Sequence, residues 1–120
     1  MAKKVLVVDD STSMRQMISF TLKGAGFECV EASDGLKGLE AAKAGKFDLV
    51  FTDVNMPIMD GLTFTAELRK LPNYKFTPIL VLTTEAGTDK KMAGKAAGAT
   101  GWLVKPFNPE QLLKTAQKVT

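Results

Sequence analysis

Residues 48–61 read DLVFTDVNMPIMDG. Leu49, Val50 and Phe51 form an apolar run that ends in Thr52 and a carboxylate, Asp53. Asn55, the pair Met56-Pro57, a second acid at Asp60 and then Gly61 follow. A short run of bulky apolar residues bounded by turn formers fits a strand buried on both faces. Proline and glycine then set a rigid turn. Taken alone, Asp53 is equally a turn residue, because aspartate bonds readily to nearby backbone. The rest of the chain decides between a turn and a site.

Working outward, the same kind of strand recurs. Residues 5–8 (VLVV) and 79–82 (ILVL) are continuous apolar runs, and residues 27–30, 48–52 and 101–104 complete five expected strands. Between them lie helical patterns. Ser11, Thr12 and Ser13 offer caps for a helix carrying Met14, Met17, Ile18, Leu22 and Ala25, with Gly24 and Gly26 at its end. Ser33-Asp34-Gly35 starts a second helix, whose expected inner face is Leu36, Leu39 and Ala42, closing near Gly45. A third covers residues 62–71, with Phe64, Leu68 and Leu71 inward and Pro72 as its stop. Residues 88–97 predict a weak fourth helix, because Gly87, Gly94 and Gly98 lower the propensity and Ala93, Ala96 and Ala97 bury little surface. Asn108, Pro109, Glu110 and Gln111 start the last one, continued by Leu112, Leu113, Ala116 and Val119.

Five alternations of strand and helix predict an α/β fold, a five-stranded parallel sheet with five helices on both faces. The 120 residues fit one domain, with no linker, repeat or low-complexity tract. Composition narrows the function. The chain holds 16 basic and 13 acidic residues, a net charge of +3, without a dense basic run, which argues against nucleic acid. It has no histidine, which removes histidine bases, histidine metal ligands and phosphohistidine carriers. The single cysteine, Cys29, forms no internal disulfide, reads as a small buried hydrophobe on a strand and suits a reducing compartment. Lys3-Lys4 is followed by only four apolar residues before Asp9, too short for a signal peptide or a membrane span. A cytoplasmic protein is the expectation.

In a parallel sheet all strand ends of one kind lie on one edge, and ligands bind there. The first strand ends in Asp9-Asp10, the third in Asp53, the fourth at Thr83 and the fifth at Lys105-Pro106. Each has an ordinary reading: helix caps for the first two acids, a strand residue for Thr83, a solvated lysine for Lys105. Their joint arrival at one edge is harder to dismiss. Two carboxylates about 5 Å apart repel by roughly 3 kcal/mol at an effective dielectric near 20. Such a cluster needs a proton, a cation or a task. Oxygen donors without histidine or cysteine favour Mg²⁺ over zinc.

The motifs VLVVDDSTSMR (5–15), DLVFTDVNMPIMDG (48–61), ILVLTTE (79–85) and GWLVKPF (101–107), at these spacings, resemble the response-regulator receiver domains of two-component signalling, and among them the single-domain chemotaxis regulators. The resemblance covers the whole chain. It implies a flavodoxin-like (βα)5 fold with strand order 2-1-3-4-5 and one receiver domain over residues 1–120. It also implies that Asp53 accepts a phosphoryl group from a histidine kinase. Asp9, Asp10, Asp53 and the backbone carbonyl of Asn55 would hold Mg²⁺, with Asp10 a more direct ligand than Asp9. Thr83 and Lys105 would contact the phosphoryl group, and Lys105-Pro106 matches the family's cis peptide bond. The protein would be a signalling monomer and not a turnover enzyme. Its partners would be the kinase, a flagellar motor switch protein and a phosphatase, with neither nucleic acid nor membrane. Lys90, Lys91, Lys95, Lys114 and Lys118 lie in the helices of the expected output face. Trp102 departs from the pattern: the family's switching aromatic is usually tyrosine or phenylalanine, and indole is larger. Thr84 and Glu85 stand beside the site, where they would tune the lifetime of an aspartyl phosphate.

Two alternatives stay open at this level. A phosphate sink, or a receiver in a non-flagellar pathway, carries the same motifs. A small Mg²⁺-dependent phosphatase with an aspartate nucleophile is more distant, since such enzymes place a second aspartate where Asn55 stands and carry a cap domain. Dinucleotide binding fits poorly, because Gly24 and Gly26 follow a helix where a phosphate loop would open one.

Overall fold

The computed structural model describes residues 3–84, 93 and 95–120. Its strands are β1 (Lys4–Val8), β2 (Glu28–Ala32), β3 (Leu49–Asp53), β4 (Ile79–Thr83) and β5 (Gly101–Val104). They form one parallel sheet in the order β2-β1-β3-β4-β5. Between them run α1 (Thr12–Gly24), α2 (Gly35–Ala44), α3 (Gly61–Arg69) and a 3-10 turn at Pro72–Tyr74, and a C-terminal helix spans Pro109–Val119. Most of the helix expected at 88–97 lies outside the described residues; 93 and 95–97 are helical. Among the described residues no helix is long and apolar enough to cross a membrane.

Every residue of β3 and β4 is buried, which is why these strands read as unbroken apolar runs. Their side chains divide the core in two. On one face Val5, Val7, Phe51, Leu80 and Leu82 pack with Ile18 and Leu22 of α1 and Leu112 and Ala116 of the C-terminal helix. On the other, Leu6, Val8, Val50 and Ile79 pack with Ala42 of α2, Phe64 and Leu68 of α3, and Tyr74. The caps are sequence-local. Ser11 accepts from the Met14 amide, Asp34 from Lys37, Asp60 from Thr63, and Asn108 forms a reciprocal capping box with Gln111.

Four expectations shift. The second strand runs Glu28–Ala32, not 27–30. It is an edge strand with Glu28 and Glu31 exposed, so it lacks the all-apolar signature. Leu36 is 43% exposed and does not line the inner face of α2; Gly35, Gly38 and Ala42 are buried instead. The helix sits too close to the sheet for anything larger, since a Cβ on Gly38 would meet Val8 Cγ2 at 2.9 Å and the Phe64 ring at 3.1 Å. The third helix ends at Arg69, and Pro72 starts the 3-10 turn where it was expected to stop the helix. Cys29 lies on β2 as expected but is only half-buried.

The turn after β3 is tight. The Gly61 amide donates to the Val54 carbonyl at 2.8 Å. Gly61 presses so closely on the Asp53 carbonyl that a Cβ there would collide with it. The neighbour is main chain and cannot swing aside. Gly61→Ala is therefore expected to cost about 1–3 kcal/mol, read as a lower urea midpoint at unchanged m-value. An unaltered midpoint would show that the β3 end yields freely.

Candidate functional site

β1 runs into Asp9, which is fully buried, and Asp10, which is exposed. β3 ends on Asp53, 9% exposed. The two strands are parallel neighbours with Val8 opposite Thr52, so the residues that follow stand side by side. One carboxylate oxygen from each of Asp9, Asp10 and Asp53 lies within 4.8 Å of the others. β1 has β2 on one side and β3 on the other, so the strand order reverses here, where open α/β sheets bind ligands.

Lys105 follows β5. Its amide donates to the Thr83 carbonyl at 2.7 Å, and the Lys105-Pro106 peptide is cis. From that anchor Nζ reaches across the end of β4, donating to Asp53 Oδ1 at 3.0 Å and Asp9 Oδ2 at 3.3 Å. The Ser11 amide donates to Asp9 Oδ1 at 2.9 Å. Burial is the largest influence on Asp9 and raises its pKa. The Asp53 charge adds to that, and the Ser11 amide and Lys105 pull back, leaving a net rise. For Lys105, burial acts first and lowers the pKa. The hydrogen bond to Asp53 and the charges of Asp9 and Asp53 outweigh it, so the ammonium is held above its ordinary range.

Asp9, Asp10, Asp53 and Lys105 thus come together. Thr83 is the buried last residue of β4, in register with Val104 at the same edge. Asn55 is exposed in the loop just after β3. Trp102 is half-buried on β5, in register with Val81, two residues before the position that faces Thr83. Lys95, Lys114 and Lys118 are exposed; Lys90, Lys91 and Glu85 lie outside the described residues. Asp60, the second acid of the opening stretch, caps α3. Neither Asp9 nor Asp10 caps α1; Ser11 does.

One contributor escaped the sequence reading. Arg15 of α1 donates from Nη1 to the Asp9 carbonyl at 2.6 Å, while its Nε pairs with Glu31 Oε1 of β2 at 3.3 Å. It fixes the main chain that carries the buried acid. Arg15 stands inside the motif at 5–15, but no spacing rule says that a helix residue folds back onto the strand before it. The donor set of the edge is hard oxygen throughout, close-spaced and net negative, which fits a small divalent cation such as Mg²⁺.

The family model described as "Response regulator receiver domain" matches residues 5–117. The chemotaxis protein CheY-3 of Vibrio cholerae is 38% identical over 117 residues, covering 97% of this chain and 90% of that protein. The solved structure of the chemotaxis response regulator CheY4 of Vibrio cholerae shares 57% identity, with a TM-score of 0.97 and both chains covered in full. The receiver domain of a sensor histidine kinase from Pseudomonas aeruginosa, with a magnesium ion coordinated in the active site cleft, matches at 26% identity and a TM-score of 0.90, covering 98% of this chain and 97% of that one.

Lys105→Met leaves the carboxylates without their ammonium. Without divalent cations it is expected to lower stability near neutral pH by about 3 kcal/mol. The gap to wild type depends on an ionised Asp9. Because the folded-state pKa of Asp9 is raised above 3.8, the gap should narrow as pH falls through that raised value. Urea melts of both proteins across pH check this; a pH-independent gap would mean lost packing alone.

Proposed function

The chain belongs to the response regulator receiver domain family, and on that premise we propose that it is a phosphoacceptor switch, one receiver domain over residues 1–120. The observation that carries this reading is the meeting of three carboxylates with one half-buried ammonium at the switch point of the sheet. Asp53 is the nucleophile. A carboxylate oxygen attacks phosphorus, the P–N bond of a phosphohistidine on a partner kinase breaks, and the imidazole leaves with the electron pair and takes up a proton. The absence of histidine agrees with a chain that receives phosphoryl groups but does not supply them.

Asp9, Asp10, Asp53 and the Asn55 carbonyl would hold Mg²⁺. When bound, the cation supplies charge neutralisation for the transferring group. Lys105 already bridges Asp9 and Asp53, so its ammonium stands ready to pair with a phosphoryl oxygen on Asp53. Thr83, at the neighbouring strand end, offers its hydroxyl to a second oxygen. Engaging Thr83 and Lys105 pulls on β4 and β5 and shifts a two-state equilibrium. Trp102 is the aromatic that would report or transmit that shift. The output face then combines residues 88–97, β5 and the C-terminal helix. The names of the relatives favour chemotaxis. On this reading a histidine kinase is the donor, a flagellar motor switch protein the target and a phosphatase the terminator, in the cytoplasm. The protein is a signalling component that accepts and sheds its own phosphoryl group and turns over no other substrate.

Intact mass after incubation with Mg²⁺ and acetyl phosphate tests this. One phosphoryl group is expected on the wild type and none on Asp53→Asn, and chelation of Mg²⁺ beforehand should abolish the adduct. An adduct that survives in Asp53→Asn would move the nucleophile elsewhere. If neither an adduct nor consumption of the donor is seen, the acceptor reading fails.

A further inference from the structure

A groove of about 450 Å³ lies at the opposite edge of the sheet, bounded by Lys46, Phe47 and Asp48 ahead of β3 and by Tyr74, Phe76 and Thr77 ahead of β4. Three observations separate it from scattered surface apolarity. Its walls are fixed from beneath. Tyr74, 2% exposed, directs its hydroxyl at the carbonyls of Ala42 (2.7 Å) and Gly45 (2.8 Å). Arg69 Nη1 donates to the carbonyls of Tyr74 (2.7 Å) and Thr77 (2.6 Å). These bonds bracket Phe76, which is 87% exposed between two pinned residues. Finally, the charge around the groove leans positive. Lys46 is exposed, Lys75 Nζ stands 5.8 Å from the Phe76 ring centre and Lys4 Nζ 5.2 Å from that of Phe47. The acid on the lining, Asp48, already accepts the Lys4 amide through Oδ2 at 2.8 Å.

We infer that this groove docks an acidic segment of another protein that inserts an aromatic side chain beside Phe76. A preformed wall lowers the ordering cost of binding. Aromatic anchors dominate small interfaces, and the lysines complement an acidic flank. The guanidinium beneath the groove is engaged with main-chain carbonyls and does not face a phosphate backbone. One exposed phenylalanine is a poor wedge for a bilayer compared with a full apolar helix face. The groove and Asp53 sit at opposite ends of β3, about 16 Å apart by strand rise. Docking there leaves the carboxylate edge open, so it tethers the protein regardless of the state of Asp53. This holds whether or not Asp53 is a phosphoacceptor.

The test titrates the ¹⁵N-labelled full chain with a short peptide of aspartate and glutamate around one central phenylalanine. Amide shifts are expected at residues 46–48 and 72–77 and should fade in high salt. Phe76→Ser and Lys46→Glu, both at exposed positions, should weaken binding by at least about tenfold, with circular dichroism verifying their folds. Asp53→Asn should bind like wild type. The inference is overturned if millimolar peptide moves no amide, if shifts centre on β5 and the C-terminal helix, or if an alanine-centred peptide binds equally well. It is also overturned if anionic vesicles or duplex DNA perturb the groove and the peptide does not.

Discussion

The ammonium of Lys105, shared between Asp9 and Asp53, is the contact around which the acidic edge is organised. Hydrogen-bonded pairing of β1 with β3 forces two carboxylates together, one of them fully buried. Such an arrangement is unfavourable unless a cation is fixed beside it. The sheet provides that cation two strands away, because β4 holds the Lys105 amide through the Thr83 carbonyl. Every strand is parallel, so every strand delivers its last residue to the same place. The edge is a product of topology before it is a product of side-chain chemistry.

The loop after β3 shows how little freedom remains around Asp53. Ile58 adopts φ 70°, and the Met59 amide donates to the Pro57 carbonyl at 2.7 Å, a γ-turn that β-branched residues rarely enter. The Met59 carbonyl accepts the Gly35 amide at 3.3 Å, tying the loop to the start of α2. Gly61 then packs on the Asp53 carbonyl, and Asp60 caps α3. The acid that ends the strand and the acid that starts the helix therefore serve different ends, although eight positions of sequence hold both.

Much of this was legible in the chain. Buried parallel strands carry continuous apolar runs, so β1, β3 and β4 announce themselves, and their ends name Asp9, Asp10, Asp53 and Thr83 directly. Caps are local and were equally readable at Asp34 and Asn108. What failed depends on distance in space. β2 is a half-exposed edge, so its glutamates blurred its limits. Leu36 obeys helical spacing, yet α2 approaches Val8 and Phe64 so closely that glycine takes the inner position. Arg15 and Arg69 act by reaching main-chain carbonyls on other elements, a choice that no periodicity records.

The link from Lys105 to Asp9 spans 96 positions, and that span has a consequence for synthesis. β1, an interior strand, leaves the ribosome before the rest of the sheet, and the ammonium that balances its buried acid follows only after the fifth strand. At roughly 5–20 residues per second the nascent chain carries an uncompensated Asp9 for about 5–20 seconds. Throughout that interval the acid gains by staying hydrated, which disfavours closing β1 into the sheet early. The domain is thereby biased to fold late and as one unit, once the full set of strand ends has been made.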